Sequence, residues 1–252
     1  MIFYFSGTGN SRYIAKHLAT LTNDTYVSIT EKEISPTDDE RIGLFFPVHA
    51  WSAPIVMEEF LRNRLPKLIT HPSPYIYMVC TCGDDIGKTH NIVAEILKRN
   101  NLLLSAAFSL IMPDSYIGLP GFDINSEEVE RSKIEQSIKK LPRIAEFILQ
   151  NKTVEEVKPG PFPWSKSFIL RPLFYRFFAG VRLFRSTEKC IGCGRCKNIC
   201  PMQNIKLENK RPHWGNDCAN CLACYHICPK KCIEYGRFGK GKGQYKLLID
   251  NK

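Results

Sequence analysis

Residues 3–19, FYFSGTGNSRYIAKHLA, open on an apolar run, break at Ser6-Gly7-Thr8-Gly9-Asn10-Ser11, and resume with helical spacing. A strand that hands its chain to a helix through such a loop creates an anion site. The glycines let the backbone curl, its amides turn inward, and the helix N-terminus favours negative charge. The hydroxyls of Ser6, Thr8 and Ser11 and the amide of Asn10 add donors. No Lys or Arg stands inside the loop, which suits a phosphate monoester held by neutral groups. A plain strand-to-helix turn with a good N-cap would use the same residue types. Neither the G-x-G-x-x-G spacing of dinucleotide sites nor the Walker spacing is present here. A second run, GDDIGKT at residues 83–89, has three rather than four residues between its glycines. Its Asp84 and Asp85 would repel a triphosphate, so nucleotide triphosphate binding is rejected.

Outward from that loop, the first 150 residues alternate strand and helix signals. Apolar runs at IFYF (2–5), TYVSI (25–29), IGLFFPV (42–48), YIYMVCT (75–81) and LLLSAAFSLIM (102–112) read as strands. Helical patterns follow through Leu21, over 54–65, to about residue 100, and over 126–150, where Pro142 predicts a kink. Five strands separated by helices predict an α/β fold, a doubly wound parallel sheet of order 2-1-3-4-5. A ligand is then expected at the carboxyl ends of strands one and three.

Charge divides the chain further. Residues 1–150 carry 15 Lys and Arg against 18 Asp and Glu; residues 151–185 carry 7 against 2, and residues 186–252 carry 13 against 5. The formal excess of +10 therefore belongs to the C-terminal part. Three units are expected: a ligand-binding domain over 1–150, a Pro-rich, aromatic and basic linker over 151–185, and a small α+β domain over 186–252. The most apolar linker stretch, residues 168–184, is interrupted by Arg171, Arg176 and Arg182 and is short of the roughly 20 residues a membrane span needs. Its aromatics are expected to pack against the domains and its arginines to face acidic residues of the first domain. Peripheral membrane contact and nucleic-acid binding are therefore not expected.

Of the 11 Cys, nine lie between Cys190 and Cys232. No signal-peptide pattern precedes the first strand, so a cytoplasmic location is expected and the thiols read as metal ligands rather than disulfides. Cys190, Cys193, Cys196 and Cys200 form C-x2-C-x2-C-x3-C closed by Pro201; Cys218, Cys221, Cys224 and Cys228 repeat it, closed by Pro229. Zinc sites pair two C-x2-C knuckles across a longer loop and have no use for a tight triple followed by Cys-Pro. In this spacing three thiolates wrap one cubane cluster while the fourth reaches the other. Cluster one is expected on Cys190, Cys193, Cys196 and Cys228, and cluster two on Cys218, Cys221, Cys224 and Cys200. Cys232 falls outside the pattern and reads as a packing residue.

FSGTGNS (5–11) looks like the FMN-phosphate loop of flavodoxins, and residues 186–252 look like a bacterial two-cluster ferredoxin. With MPDSY (112–116) after strand five, the chain resembles the flavodoxin–ferredoxin fusion proteins of anaerobic bacteria and archaea over nearly its whole length except the linker. The resemblance implies a flavodoxin-like FMN domain with Ser6, Thr8, Gly9, Asn10 and Ser11 on the phosphate. It implies that Pro47, Val48, His49, Ala50 and Trp51 border the isoalloxazine, and that Thr81, Cys82, Gly83 and Asp84 lie at its pyrimidine edge. Trp51 would either stack on the ring or cover the core rim. The strand-four loop has no aromatic, which would leave one flavin face open.

A ferredoxin moves single electrons and a flavin takes one or two, so their fusion predicts an electron-transfer iron–sulfur flavoprotein holding FMN and two 4Fe-4S clusters. Its partners would be other redox proteins. The alternative is an FMN-dependent oxidoreductase that reduces a small molecule in a pocket lined by Trp51, His49, Asp114 and Tyr116. Enzymatic activity, the direction of electron flow and the oligomeric state are left open by the sequence.

Overall fold

The computed structural model describes residues 1–245 and 247. Three apolar runs form strands β1 (Ile2–Tyr4), β2 (Tyr26–Ser28) and β3 (Arg41–Pro47), with helix α1 (Asn10–Thr22) between the first two. Helices α2 (Ile55–Asn63) and α3 (Leu65–Leu68) then lead to β4 (Tyr75–Cys82), α4 (Thr89–Lys98) and β5 (Leu104–Ile111). Helix α5 (Glu127–Leu149) begins at Ser126, whose hydroxyl accepts from the Val129 amide at 3.4 Å, and has Glu127, Glu128 and Glu130 in its first turn. Both features suit a helix N-terminus. The helix continues through Pro142 as one element.

The strands are parallel throughout, and the sheet has six of them in the order β2-β1-β3-β4-β5-β6. The five-stranded expectation is corrected by β6 (Val154–Glu156), which pairs with β5 inside the residues read as linker. Its three residues, two of them Glu, carry no apolar run to betray them. A short charged strand is what a sheet edge tolerates.

Alternation along the strands feeds two cores. Ile42, Leu44, Phe46, Ile76, Met78 and Cys80 pack on one face with Met57, Leu61, Val93 and Leu97 of α2 and α4. Phe45, Tyr77, Val79 and Phe108 pack on the other with Ile14, Leu18, Leu141 and Ile148 of α1 and α5. The near-continuous apolar runs of β3 and β4 follow from this burial on both faces.

Beyond β6, α6 (Pro163–Ser165), a π-helical turn (Lys166–Leu170) and α7 (Arg171–Phe177) form one helical segment. The remainder holds more regular structure than its sequence periodicity suggests. Strand β7 (Phe184–Ser186) pairs antiparallel with β10 (Ile233–Tyr235), and β8 (Ile205–Glu208) forms a hairpin with β9 (Arg211–Trp214). Short helices α8 (Arg195–Ile199) and α9 (Ala223–Ile227) sit inside the two cysteine repeats. β7 begins in the residues read as linker, with Arg185 inside the strand.

Candidate functional site

A cavity of about 360 Å³ opens at the carboxyl ends of β1, β3, β4 and β5, where the strand order reverses between β1 and β3. In open parallel sheets that reversal is where loops part and a ligand can enter. The loops after all four strands line it, from Ser6, Val48, Gly83 and Ser115 respectively.

In the first loop, Ser6, Gly7, Thr8, Asn10 and Ser11 line the cavity, while Gly9 lies behind it with φ 105°. Several side-chain donors are already committed. Asn10 Nδ2 donates to the Pro113 carbonyl at 3.0 Å, and its Oδ1 accepts from the Tyr245 hydroxyl at 2.6 Å. Ser11 Oγ shares a hydrogen bond with Thr81 Oγ1 at 2.8 Å, and Thr8 Oγ1 donates to Ser115 Oγ at 3.4 Å. The backbone amides of residues 6–11, by contrast, meet no protein acceptor among the described residues. A curled loop of orphan N–H groups at the start of α1 fits an anion. Asn10 and Ser11 thus hold the cradle in shape, and the amides are left to grip.

The loop after β3 turns sharply. Ala50 and Trp51 both have positive φ, 47° and 59°, between paired His49 and Ser52. Two successive non-glycine residues in the left-handed region carry strain, which structures retain chiefly at ligand sites. The Trp51 carbonyl accepts from Ser167 Oγ at 2.7 Å, and Lys166 Nζ sits 5.7 Å from the Trp51 ring centre. Pro47, Val48 and His49 also face the cavity. Burial pushes the His49 imidazole down from 6.5 to about 4, so it stands neutral at pH 7. The unfolded chain protonates first, and stability present above pH 6.5 is lost as pH falls from 6.5 toward 4. That loss is up to about 3 kcal/mol. His49→Gln is expected to flatten this stretch of the curve of thermal midpoint against pH; an unchanged slope would assign the acid sensitivity elsewhere.

The loop after β4 brings Thr81, Cys82, Gly83 and Asp84 to the cavity. Cys82 is buried, its thiol is pushed up to about 12, and it points toward the Leu110 carbonyl. Asp84 turns outward to Lys158 at 2.7 Å. Gly83 has no room for a side chain, because the Asp114 carboxylate occupies that space. Asp114 itself is held by Lys133 Nζ at 2.7 Å, which also donates to the Gly83 carbonyl. Tyr116 meets Phe174 edge-on at 5.5 Å. All four residues named for a substrate pocket, Trp51, His49, Asp114 and Tyr116, therefore share this cavity. Sequence reasoning missed its far wall: Lys166, Phe174 and Tyr175 from the linker, and Asn220, Cys221 and Leu222 from the second cysteine repeat. No local pattern announces residues that meet only through tertiary packing.

The two cysteine repeats share one local geometry. Gly194 and Leu222 precede the short helices with φ 75° and 58°, and Cys200 and Cys228 end them with φ −65° and −67° and a common ψ of 112°. Cys190, Cys193, Cys196 and Cys228 line one small cavity, together with Cys232, whose Sγ lies 3.3 Å from Cys228 Sγ. Cys200 is close enough to Cys218, Cys221 and Cys224 to push all three thiols up, after burial itself. The buried Nε1–H of Trp214 has no acceptor among the described residues and lies beside the Cys224 thiol, where a thiolate would accept from it. Among the described residues no three His, Cys, Asp or Glu side chains close around a single metal ion. Cys228 of the second repeat thus shares a cavity with the first three thiols of the first repeat, and Cys200 of the first lies near the first three thiols of the second.

Residues 182–229 match the family model of the 4Fe-4S dicluster domain. The match spans both repeats and supports iron–sulfur electron transfer with at least one cluster. No curated protein matches the chain. The dicluster domain meets the parallel sheet directly. A β-carbon on Gly7 would fall 2.5 Å from Cys221 Cβ and 2.8 Å from the Cys221 carbonyl oxygen. His226 Nδ1 accepts from the Tyr245 amide at 3.0 Å, which fixes its Nε2–H to donate to the Ser115 carbonyl at 2.7 Å. Asn220 Oδ1 accepts from the Gly180 amide at 2.7 Å.

Proposed function

We propose that this chain is an electron-transfer iron–sulfur flavoprotein of the flavodoxin–ferredoxin type. It would hold FMN in the cavity over the sheet, one 4Fe-4S cluster on Cys190, Cys193, Cys196 and Cys228, and a second on Cys218, Cys221, Cys224 and Cys200. The carrying observation is the contact of Gly7 with Cys221, which seats the anion loop against the second cysteine repeat in one shared cavity. FMN would supply a carrier that exchanges one or two electrons, and the clusters carriers that exchange one.

The residues divide the work of holding these groups. The amides of residues 6–11 would take the phosphate, with the Ser6 and Thr8 hydroxyls beside them. Trp51 and Tyr116, which both line the cavity, would border a planar ring. His49, neutral and without a carboxylate partner among the described residues, is poorly suited to acid catalysis. The lack of a carboxylate beside His49 favours electron transfer over the alternative of reducing a small molecule. The linker wall of Phe174 and Tyr175, which narrows the cavity, favours the alternative.

Anaerobic purification followed by iron and flavin counting tests the reading. About eight Fe and one FMN per chain are expected. Zinc in place of iron would overturn the cluster assignment, and iron without flavin would overturn the cavity assignment. Reoxidation of the reduced protein by a small molecule at a saturable rate, with no protein partner, would favour the alternative.

A further inference from the structure

The linker was expected to pack its aromatics against the domains; Phe174 and Tyr175 do so, while Phe162, Trp164, Phe168 and Phe177 are left exposed. From α6 to α7 the inward residues are fixed one by one. Buried Ser167 donates to the Trp51 carbonyl and accepts from the Lys88 amide at 2.8 Å. Arg171 pairs with buried Glu58 at 2.6 Å, Lys166 pairs with buried Asp85, and Phe174 and Tyr175 wall the cavity. With one face so anchored, the other has a defined direction, and it is apolar. Phe162 is 79% exposed, Trp164 60% and Phe177 59%, and Phe168, Ile169, Leu170 and Leu173 lie exposed between them. Trp164 and Phe168 are in ring contact at 5.6 Å. A helix lying on a protein ordinarily turns its polar residues to water, and this one turns Lys166, Ser167 and Arg171 inward. A patch of this kind marks an interaction surface.

Charge says what covers it. No acidic residue stands between Glu156 and Glu188, while Lys158, Lys166, Arg171, Arg176, Arg182 and Arg185 fall in that interval. Lys166 and Arg171 are used inward, Lys158 meets Asp84, and Arg185 meets Glu234 at 2.6 Å. Arg176 and Arg182 meet no carboxylate among the described residues. Arg182 donates to the Arg176 carbonyl at 2.6 Å, and the Arg176 guanidinium lies over the Phe177 ring. Uncompensated guanidinium groups thus border an outward stripe of Trp, Phe, Leu and Ile. No helix among the described residues is long and apolar enough to cross a membrane.

We propose that this helical face docks the protein in the plane of an anionic lipid bilayer, with the apolar side chains in the acyl boundary and Arg176 and Arg182 among the head groups. The inference does not depend on the flavin reading, since the stripe faces away from the cavity.

Sedimentation of the full chain, purified anaerobically with its iron, with lipid vesicles provides the test. Vesicles of phosphatidylcholine alone are compared with vesicles containing phosphatidylglycerol at about one lipid in three. The expected result is at least about tenfold tighter binding to the anionic vesicles, weakening with added salt. The triple variant Trp164→Ser, Phe168→Ser, Phe177→Ser should lose about tenfold or more of that binding, with its visible absorbance and thermal midpoint kept. Arg176→Ala with Arg182→Ala should weaken binding to anionic vesicles alone. If the triple variant fails to fold, quenching of the intact chain by brominated lipid decides, with Trp164→Phe as the control: Trp164-dependent quenching supports the proposal and its absence overturns it. Equal binding by a folded triple variant also overturns it. So does a wild-type chain that stays off both vesicles, whether it forms a dimer sensitive to the triple variant or binds an acidic redox protein through this face.

Discussion

Replacing Cys200 with serine is expected to empty the site formed by Cys218, Cys221 and Cys224, although Cys200 lies in the first repeat. Under the proposed crossed ligation, each set of three closely spaced thiols takes its fourth member from the end of the other repeat's short helix. Cys200 and Cys228 leave those helices with the same backbone conformation, so each is presented in the same way to the opposite site. Serine in place of one thiolate replaces a soft ligand with a hard, protonated one, and a buried cluster tolerates that poorly. About four of eight Fe should be lost on anaerobic purification, and Cys190→Ser should cost a similar number at the other site. Electron paramagnetic resonance of the reduced variants separates the two, because only the site beside Trp214 and the anion loop should change in Cys200→Ser. Loss confined to the site of Cys190, Cys193 and Cys196 would refute the crossing.

The second large effect is expected at Gly7. An alanine there places its methyl group 2.5 Å from Cys221 Cβ and 2.8 Å from a backbone oxygen, and neither neighbour is a flexible chain end. The anion loop or the second cysteine repeat must shift. Overpacking of this kind costs about 1–3 kcal/mol, which corresponds to roughly five- to 150-fold in FMN affinity if the loop takes the displacement. Flavin binding to the apo-flavin protein, followed by fluorescence quenching, measures the first effect. The spectrum of the neighbouring iron–sulfur site in the same variant measures the second. A Gly7→Ala chain that binds flavin normally and leaves that spectrum unchanged would separate two sites that the proposal places in contact.

Much of this arrangement was legible from residue order alone. The strands β1, β3, β4 and β5 are buried on both faces, so their sequences are near-continuous apolar runs that stand out locally. The glycine- and hydroxyl-rich loop after β1 and the cysteine repeats are local too, since their patterns are fixed by spacing within about a dozen residues. What escaped was β6, whose three residues owe their strand to the edge of β5 rather than to any pattern of their own. The far wall of the cavity escaped for the same reason: Tyr175 and Leu222 acquire meaning only when the linker and the second repeat fold back over the sheet. The linker misled in a different way. Phe162, Trp164, Phe168 and Phe177 read as packed, like Phe174 and Tyr175, because apolar residues usually are, and nothing in a single sequence says which face of a short helix its anchors will choose.

The hydrogen bond between Tyr245 and Asn10 joins residues 235 apart in the chain. The amides that would grip an anion are therefore shaped by a residue made after both cysteine repeats. Because the Tyr245 amide also donates to His226 in the second repeat, a disturbance of that repeat is relayed through one residue to the loop at Asn10.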